Sequence, residues 1–197
     1  MRTRLTVLAL VVVFAGVSLV QAQGIKYGVG AGLNLFTGDL SKDYDPVTGS
    51  GGLGYTAEPA FGVKAKLGLP MLPLSIAAHV NYTMMKSELT VLNQTYKAES
   101  SLLTIGAGVE FSLIPGPLSP YLAADLLYNS FGTTKITGMP DQDGESRFGV
   151  GIGAGIGFNL MVINLDLSAK YNLNNLIGKE DGEPDMNTVM VQLHVMF

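Results

Sequence analysis

The sequence predicts an all-β protein, an eight-stranded antiparallel transmembrane β-barrel with short turns at one end and long loops at the other. Of its 197 residues, 47% are hydrophobic and only 14% are charged, with a mean hydropathy of +0.32. Soluble domains usually carry about 25% charged residues, so ordinary water-facing surface is in short supply. Beyond the N-terminus, however, the chain contains no apolar run of the ~20 residues that a membrane helix needs. Its apolar residues instead alternate with small or polar ones. That pattern suits a closed barrel, in which every backbone polar group is paired between strands.

Arg2 and Arg4 precede an apolar stretch over 5–20 that ends in Val20-Gln21-Ala22. A positive start, a short apolar core and a small-residue exit describe a secretory leader. Residues 1–22 are therefore expected to be removed, leaving a single barrel domain over 23–197. With the two arginines gone, the mature chain has 175 residues and a formal net charge of −6. This acidic balance, with no basic patch, argues against nucleic acid as a partner. The absence of cysteine fits an exported chain, because a closed barrel needs no disulfide.

Alternation with period two places odd and even residues on opposite faces of a strand. From Ile25, the positions Ile25, Tyr27, Val29, Ala31, Leu33 and Leu35 are apolar, with Lys26, Gly28, Gly30, Gly32 and Asn34 between them. The same pattern predicts strands over 61–69, 74–84, 103–113, 121–129, 147–160, 163–173 and 189–197, with 121–129 the least regular and 147–160 the cleanest. No charge falls on the apolar face of any of the eight. A soluble sandwich would show a heavily charged outer face, whereas here the second face is Gly, Ser and Asn with a few charges, which suits a crowded interior.

The connections alternate in length. Those at 70–73, 114–120 and 160–163 are short, whereas 37–54, 86–101, 130–146 and 174–187 are long and polar. This asymmetry is that of a barrel with periplasmic turns and extracellular loops, and it puts both termini at the periplasmic end. The outward aromatics then sort into two belts at the membrane boundaries. Tyr27, Phe111, Phe158 and Phe197 fall at the periplasmic rim and Tyr82, Tyr128, Phe148 and Tyr171 at the outer rim, with Phe61 expected between them.

The mature chain resembles the small eight-stranded bacterial outer-membrane proteins of the OmpA-barrel and OmpX kind. The most specific match is its end, where Val189, Val191, Leu193, Val195 and Phe197 alternate up to a terminal Phe. The resemblance implies that Val191, Leu193, Val195 and Phe197 form the signal read by the outer-membrane assembly machinery. It also implies a monomer in the outer membrane of a Gram-negative-type bacterium, among outer-membrane lipids and lipopolysaccharide. No peptidoglycan-binding domain follows the barrel residues, so a wall-anchoring role does not carry over.

Eight strands enclose little more than their own side chains. The inward set includes Lys26, Lys64, Lys66, His79, Glu110, Asp125, Arg147, Asp166 and Lys170, beside Asn81, Asn164, Gln192 and His194. Such residues either fill the lumen as a paired network, because unpaired charges there are costly, or line a narrow wet pore. Inward glycines at 28, 30, 32, 149, 151, 153, 155 and 157 vacate volume on two strands. Either long side chains such as Lys64, Lys66, Arg147 and Tyr121 reach into it or a thin cavity remains.

Catalysis is not expected. Lipid-modifying barrels need a His beside a nucleophile near the outer leaflet, but His79 is mid-strand, His194 is near the periplasmic end, and neither has a Ser two residues away. The acidic segments 141–145 and 180–185 lack the ligand alternation of a calcium loop, so neither a metal site nor a cofactor is expected. Twelve of the 16 acidic residues lie in the four long loops, which suits bridging by divalent cations to neighbouring lipopolysaccharide. Loop 86–101 reads as a hairpin prolonging two strands beyond the bilayer. In OmpX-like proteins such a ribbon implies an extracellular protein partner bound by strand addition. The functional expectation is structural or interactive, through envelope integrity and surface loops for adhesion or binding. The alternatives are a narrow porin-like channel for ions or small polar solutes and an OmpW-like conduit for apolar ligands.

Overall fold

The computed structural model describes residues 24–42, 54–91, 94–138, 140–160, 163–180 and 183–197. The expected leader over 1–22 lies outside the described residues. Nine strands follow in order: β1 Ile25–Phe36, β2 Ala57–Gly68, β3 Leu74–Val91, β4 Gln94–Ser112, β5 Leu118–Phe131, β6 Lys135–Ile136, β7 Ser146–Asn159, β8 Asn164–Ile177 and β9 Asn187–Met196. All but β6 form the barrel. Each pairs antiparallel with the next around the ring, and β1 against β9 closes it. At the seam, Tyr27 and Phe197 exchange backbone hydrogen bonds of 3.2 and 2.7 Å, so the last residue is held against the first strand.

The faces are sorted as the alternation predicts. Outward residues such as Val29, Val63, Ile105, Leu126, Ile152 and Leu193 are exposed, while the buried interior is mainly Asn, Thr, Lys, Asp, Glu and His. Hydrocarbon is the solvent that makes such an inversion stable. The rings of Tyr27 and Phe197 lie 6.0 Å apart at the periplasmic rim, and those of Tyr128 and Phe148 lie 5.3 Å apart toward the outer one. Phe61 departs from its expected place between the belts. It stands directly opposite Tyr82 in the β2–β3 register, because β2 starts at Ala57 and Phe61 therefore sits near its outer end.

Several strands run further than the alternation suggested. β3 and β4 stay paired out to Val91 and Gln94, so the expected hairpin in loop 86–101 is the continuation of these two strands. β8 runs to Ile177, with a register shift against β7 that matches Phe148 to Ile177 and Val150 to Leu173. A bulge of this kind obscures period two, which is why 174–177 reads as loop in the sequence. β6, absent from the predicted strands, pairs with β4 at Ala98 and Glu99 and turns the ribbon into a small three-stranded sheet.

The irregular β5 is explained by what it packs against. Tyr121 and Leu127 face inward and are 4% and 2% exposed, each lying over a glycine. A Cβ on Gly155 would come within 2.3 Å of the Tyr121 ring, and one on Gly106 within 3.0 Å of Leu127. Large inward side chains on one strand therefore occupy room left by glycines on its neighbours.

The outward face sets a clear expectation. Ile152 points to lipid from the middle of β7 and is 62% exposed. Ile152→Arg is expected to lower stability by about 2–4 kcal/mol, the cost of a basic residue at the bilayer midplane, measured by urea unfolding in lipid vesicles.

Candidate functional site: the lumen and its outer mouth

The lumen is filled in layers. Nearest the periplasm, Lys26 donates to Asn159 at 3.0 Å, beside a polar vestibule of about 180 Å³ bordered by Lys66, Glu110, Tyr121, Asn164 and Asp166. Above it lies the densest cluster. Lys64 Nζ is 2.7 Å from Glu110 and 2.9 Å from Asp166, and Lys66 Nζ is 3.0 Å from Asp166 and also meets Glu110. Tyr121 donates to Asp166 at 2.7 Å, and its ring centroid lies 4.5 Å from the Lys66 ammonium. The Glu110 carboxylate meets both ammonium groups at ion-pair range but off the axis of a hydrogen bond. Two cations and two anions from β2, β4 and β8 thus neutralise one another across the bore, as a buried set of charges must.

The next layer pairs Lys170 with Asp125 at 2.6 Å, and both histidines are buried with it. The His79 imidazole lies over Gly106 and that of His194 over Gly30, where an added Cβ would fall within 2.3 and 2.5 Å of the rings. Neither ring nitrogen of His194 has a hydrogen-bond partner among the described residues. Gln192 then donates to Asn81 at 2.9 Å. Further out, Asn34 donates to Thr83 at 3.3 Å, Thr104 to Asn129 at 2.8 Å, Asn129 to the Asn174 carbonyl at 2.8 Å and Asn174 to Thr188 at 3.1 Å. An apolar lid of Phe36, Leu40, Tyr55, Met85 and Leu102, with Phe131 and Met186 packed against it, covers these amides.

Arg147 separates from the other candidate lumen residues. It rises out of the bore, with Nε 3.0 Å from Glu183 and Nη2 against both Glu145 and Glu183. Asn175 donates to Glu183 at 3.0 Å and to the Pro184 carbonyl at 2.8 Å. The Asp39 amide donates to the Asp185 carbonyl at 2.8 Å. Three loops are thereby clasped at the outer mouth. The lid and the clasp were missed in the sequence because Leu40, Tyr55 and Met186 lie outside any periodic run. Only the placement of apolar residues inside polar loops hinted at them. Val191, Leu193 and Val195 lie on the outward face of β9 and Phe197 is exposed just beyond its end, which leaves all four free of the lumen. Among the described residues no group of three or more His, Asp or Glu side chains converges on a cation-sized site.

A closed antiparallel barrel, apolar outside and filled with paired polar groups within, defines the class of transmembrane outer-membrane barrels. The chain belongs to the family described as "Outer membrane protein beta-barrel domain", whose model matches residues 6–197, and its place is the bacterial outer membrane. Among solved structures it is similar to Neisserial surface protein A, with 19% identity, 88% of this chain and 96% of that one covered, and a TM-score of 0.61. A major outer membrane protein from Thermus thermophilus is similar at 13% identity over 88% and 98% of the two chains, TM-score 0.57. Ail of Yersinia pestis, solved with the heparin analogue sucrose octasulfate, is similar at 13% identity over 88% and 99%, TM-score 0.50. No curated protein sequence matches the chain. Identities this low speak for the shared fold alone.

Two expectations follow from this geometry. Lys64→Met leaves Lys66 alone against two buried carboxylates. The variant is expected to lose about 3 kcal/mol, the low end for breaking a buried ion pair, by urea midpoint in vesicles. The second concerns Glu183, in the loop outside the membrane. Burial pushes its carboxyl up, but hydrogen bonds from Arg147 and Asn175 outweigh burial and hold it below its ordinary value of 4.5. A carboxyl lowered by folding adds stability that is full above the unfolded value and is lost as pH falls through the folded one. Hydrogen-exchange protection of the Met186 amide, which donates to Asn175 at 3.1 Å, should therefore hold between pH 7 and 5 and be lost progressively as the pH drops below 4.5.

Proposed function

We propose that the protein is a non-conducting, non-catalytic barrel that supports the envelope from within the outer membrane and presents acidic loops to the outside. The observation that carries this reading is the Lys64–Lys66–Glu110–Asp166 cluster, which spans the bore and pairs each of its two lysines with both carboxylates. The amide layers and apolar lid above it add two further barriers. A lumen lined by ion pairs and amides also disfavours an apolar conduit. Catalysis is disfavoured because each buried histidine packs over a glycine, away from any outer-leaflet ester.

Partners follow from surface chemistry. The outward Leu, Val and Ile face lipid, and the acidic loops suit divalent bridging to lipopolysaccharide better than they suit a sulfated polymer. Val191, Leu193 and Val195 on one face of the closing strand, with Phe197 just beyond its end, suit reading by the assembly machinery before closure. The ribbon favours a protein partner through strand addition. One edge, on β4, is already taken by β6. The β3 edge is paired with β2 only as far as Thr83, and the Lys86 amide beyond it is met by the Glu58 carboxylate at 3.2 Å. An extended peptide would therefore add along β3 outside the bilayer.

Planar-bilayer recording tests the central reading. The native chain is expected to stay silent, whereas Lys64→Ala with Lys66→Ala should produce openings, as two unbalanced carboxylates repel and admit water. Sustained openings of the native chain would instead make it a narrow pore for ions or small polar solutes.

A further inference from the structure

We infer that the outer mouth holds a blind binding site for a small amphiphile with an apolar body and a single positive charge. A cavity of about 360 Å³ lies between the ribbon, the loop around 140–145 and the loop around 183–186. That volume falls within the range of small-molecule sites, roughly 300–1,000 Å³. Its floor is formed by Leu40, Tyr55, Met85, Phe131 and Met186, the upper surface of the apolar lid. Methionine is unbranched and polarizable, so two of the five floor residues can adapt to an irregular apolar guest.

Its wall has the opposite character. Asp143, Glu145 and Glu183 line it with Arg147, three carboxylates against one guanidinium. The guanidinium is already engaged by Glu145 and Glu183, so the wall keeps a net negative charge that disfavours an anion. The Glu183 carboxyl, held low, stays ionised at neutral pH. An acidic wall over an apolar floor complements a cationic head on an apolar tail.

Tyr55 supplies an independent mark. Its side chain is 1% exposed, and its hydroxyl has no hydrogen-bond partner among the described residues. A buried hydroxyl left unpaired costs about 1–3 kcal/mol. Burial pushes the group up to about 12, so it remains a neutral hydroxyl beside the floor. The cavity does not lead inward, because Phe36 and Leu102 seal the lid beneath it above the Asn34–Thr83 and Thr104–Asn129 pairs. Binding here is thus separate from conduction, and a conducting lumen would leave this inference standing.

The test uses the mature chain in lipid nanodiscs, free of detergent that could fill the site, with ¹³C-labelled methionine methyls as reporters. Octylammonium, whose ammonium protons can meet the Tyr55 hydroxyl as well as the wall carboxylates, should shift the Met85 and Met186 methyls saturably, while Met84, on the outward face of β3 and 37% exposed, reports only non-specific partition. Octanesulfonate, with the same tail and the opposite charge, should bind at least about tenfold more weakly. Met85→Trp, which fills the floor, should abolish the saturable shift at Met186. To separate filling of the floor from unfolding of the lid, Asp143→Asn with Glu145→Gln provides a surface pair that keeps the floor intact and should erase the preference for the cation. No saturable shift at Met85 and Met186 into the millimolar range would overturn the inference. So would a response equal to that of Met84, or equal binding of the two amphiphiles.

Discussion

Hydrocarbon offers no hydrogen bonds, so a sheet lying in it cannot afford an open edge. Everything else in this molecule follows from meeting that condition with eight strands. The seam between β1 and β9 must close, and it does so through residues from Gly28 to Phe36 on one side and Thr188 to Met196 on the other. The long β3–β4 ribbon escapes the condition because it stands in water, which is where an unpaired edge is tolerable. Its β4 side is nevertheless covered by β6, and its β3 side is partly capped by a carboxylate from β2.

Closing so few strands creates a second problem, a bore too narrow for water to solvate charge well and too wide to leave empty. Glycine and large polar residues solve it together. Where His79, His194 or Tyr121 projects inward, the adjacent strand presents a glycine, so the interior packs without forcing strands apart. Charge is then balanced locally: two lysines face two carboxylates near the periplasm, one lysine faces one aspartate at mid-depth, and neutral amides fill the outer third. The gradation from ions to amides to an apolar lid gives each end of the lumen a different chemistry. The mouth is therefore a separate compartment from the bore.

The barrel was legible because its requirements are written residue by residue. Period two in 147–160 or 189–197 has one explanation in a chain with this little charge, and the eight strands, their sidedness and the long outer loops follow. Phe61 was misplaced because a girdle position depends on where its strand begins, and Ala57 to Ala60 carry no clean alternation. The residues facing the lumen were legible, but their partners were not. Nothing in the sequence says that Lys64 reaches Glu110 and Asp166 while Asp125 goes to Lys170, because those choices depend on the stagger of strands around the ring. Arg147 shows the limit most clearly. Its parity points inward, yet its position at the start of β7 lets a long side chain turn up to the loops. The lid was illegible for a related reason, since Leu40, Tyr55 and Met186 come together only after three loops fold over the opening.

The ion cluster also bears on how the molecule can form. Lys64 and Asp166 are 102 residues apart and belong to strands on opposite sides of the seam, so their meeting requires nearly the whole chain to be in place. Such distant pairings are slow to form, because loop-closure entropy is spent before any contact repays it. Until β1 meets β9, both lysines and both carboxylates would face lipid or water unevenly. A half-built sheet that entered the bilayer early would therefore carry these charges in without their partners, at a cost set against its apolar face. The charges in the bore act as a checkpoint on assembly, penalising insertion until the last strand has found the first.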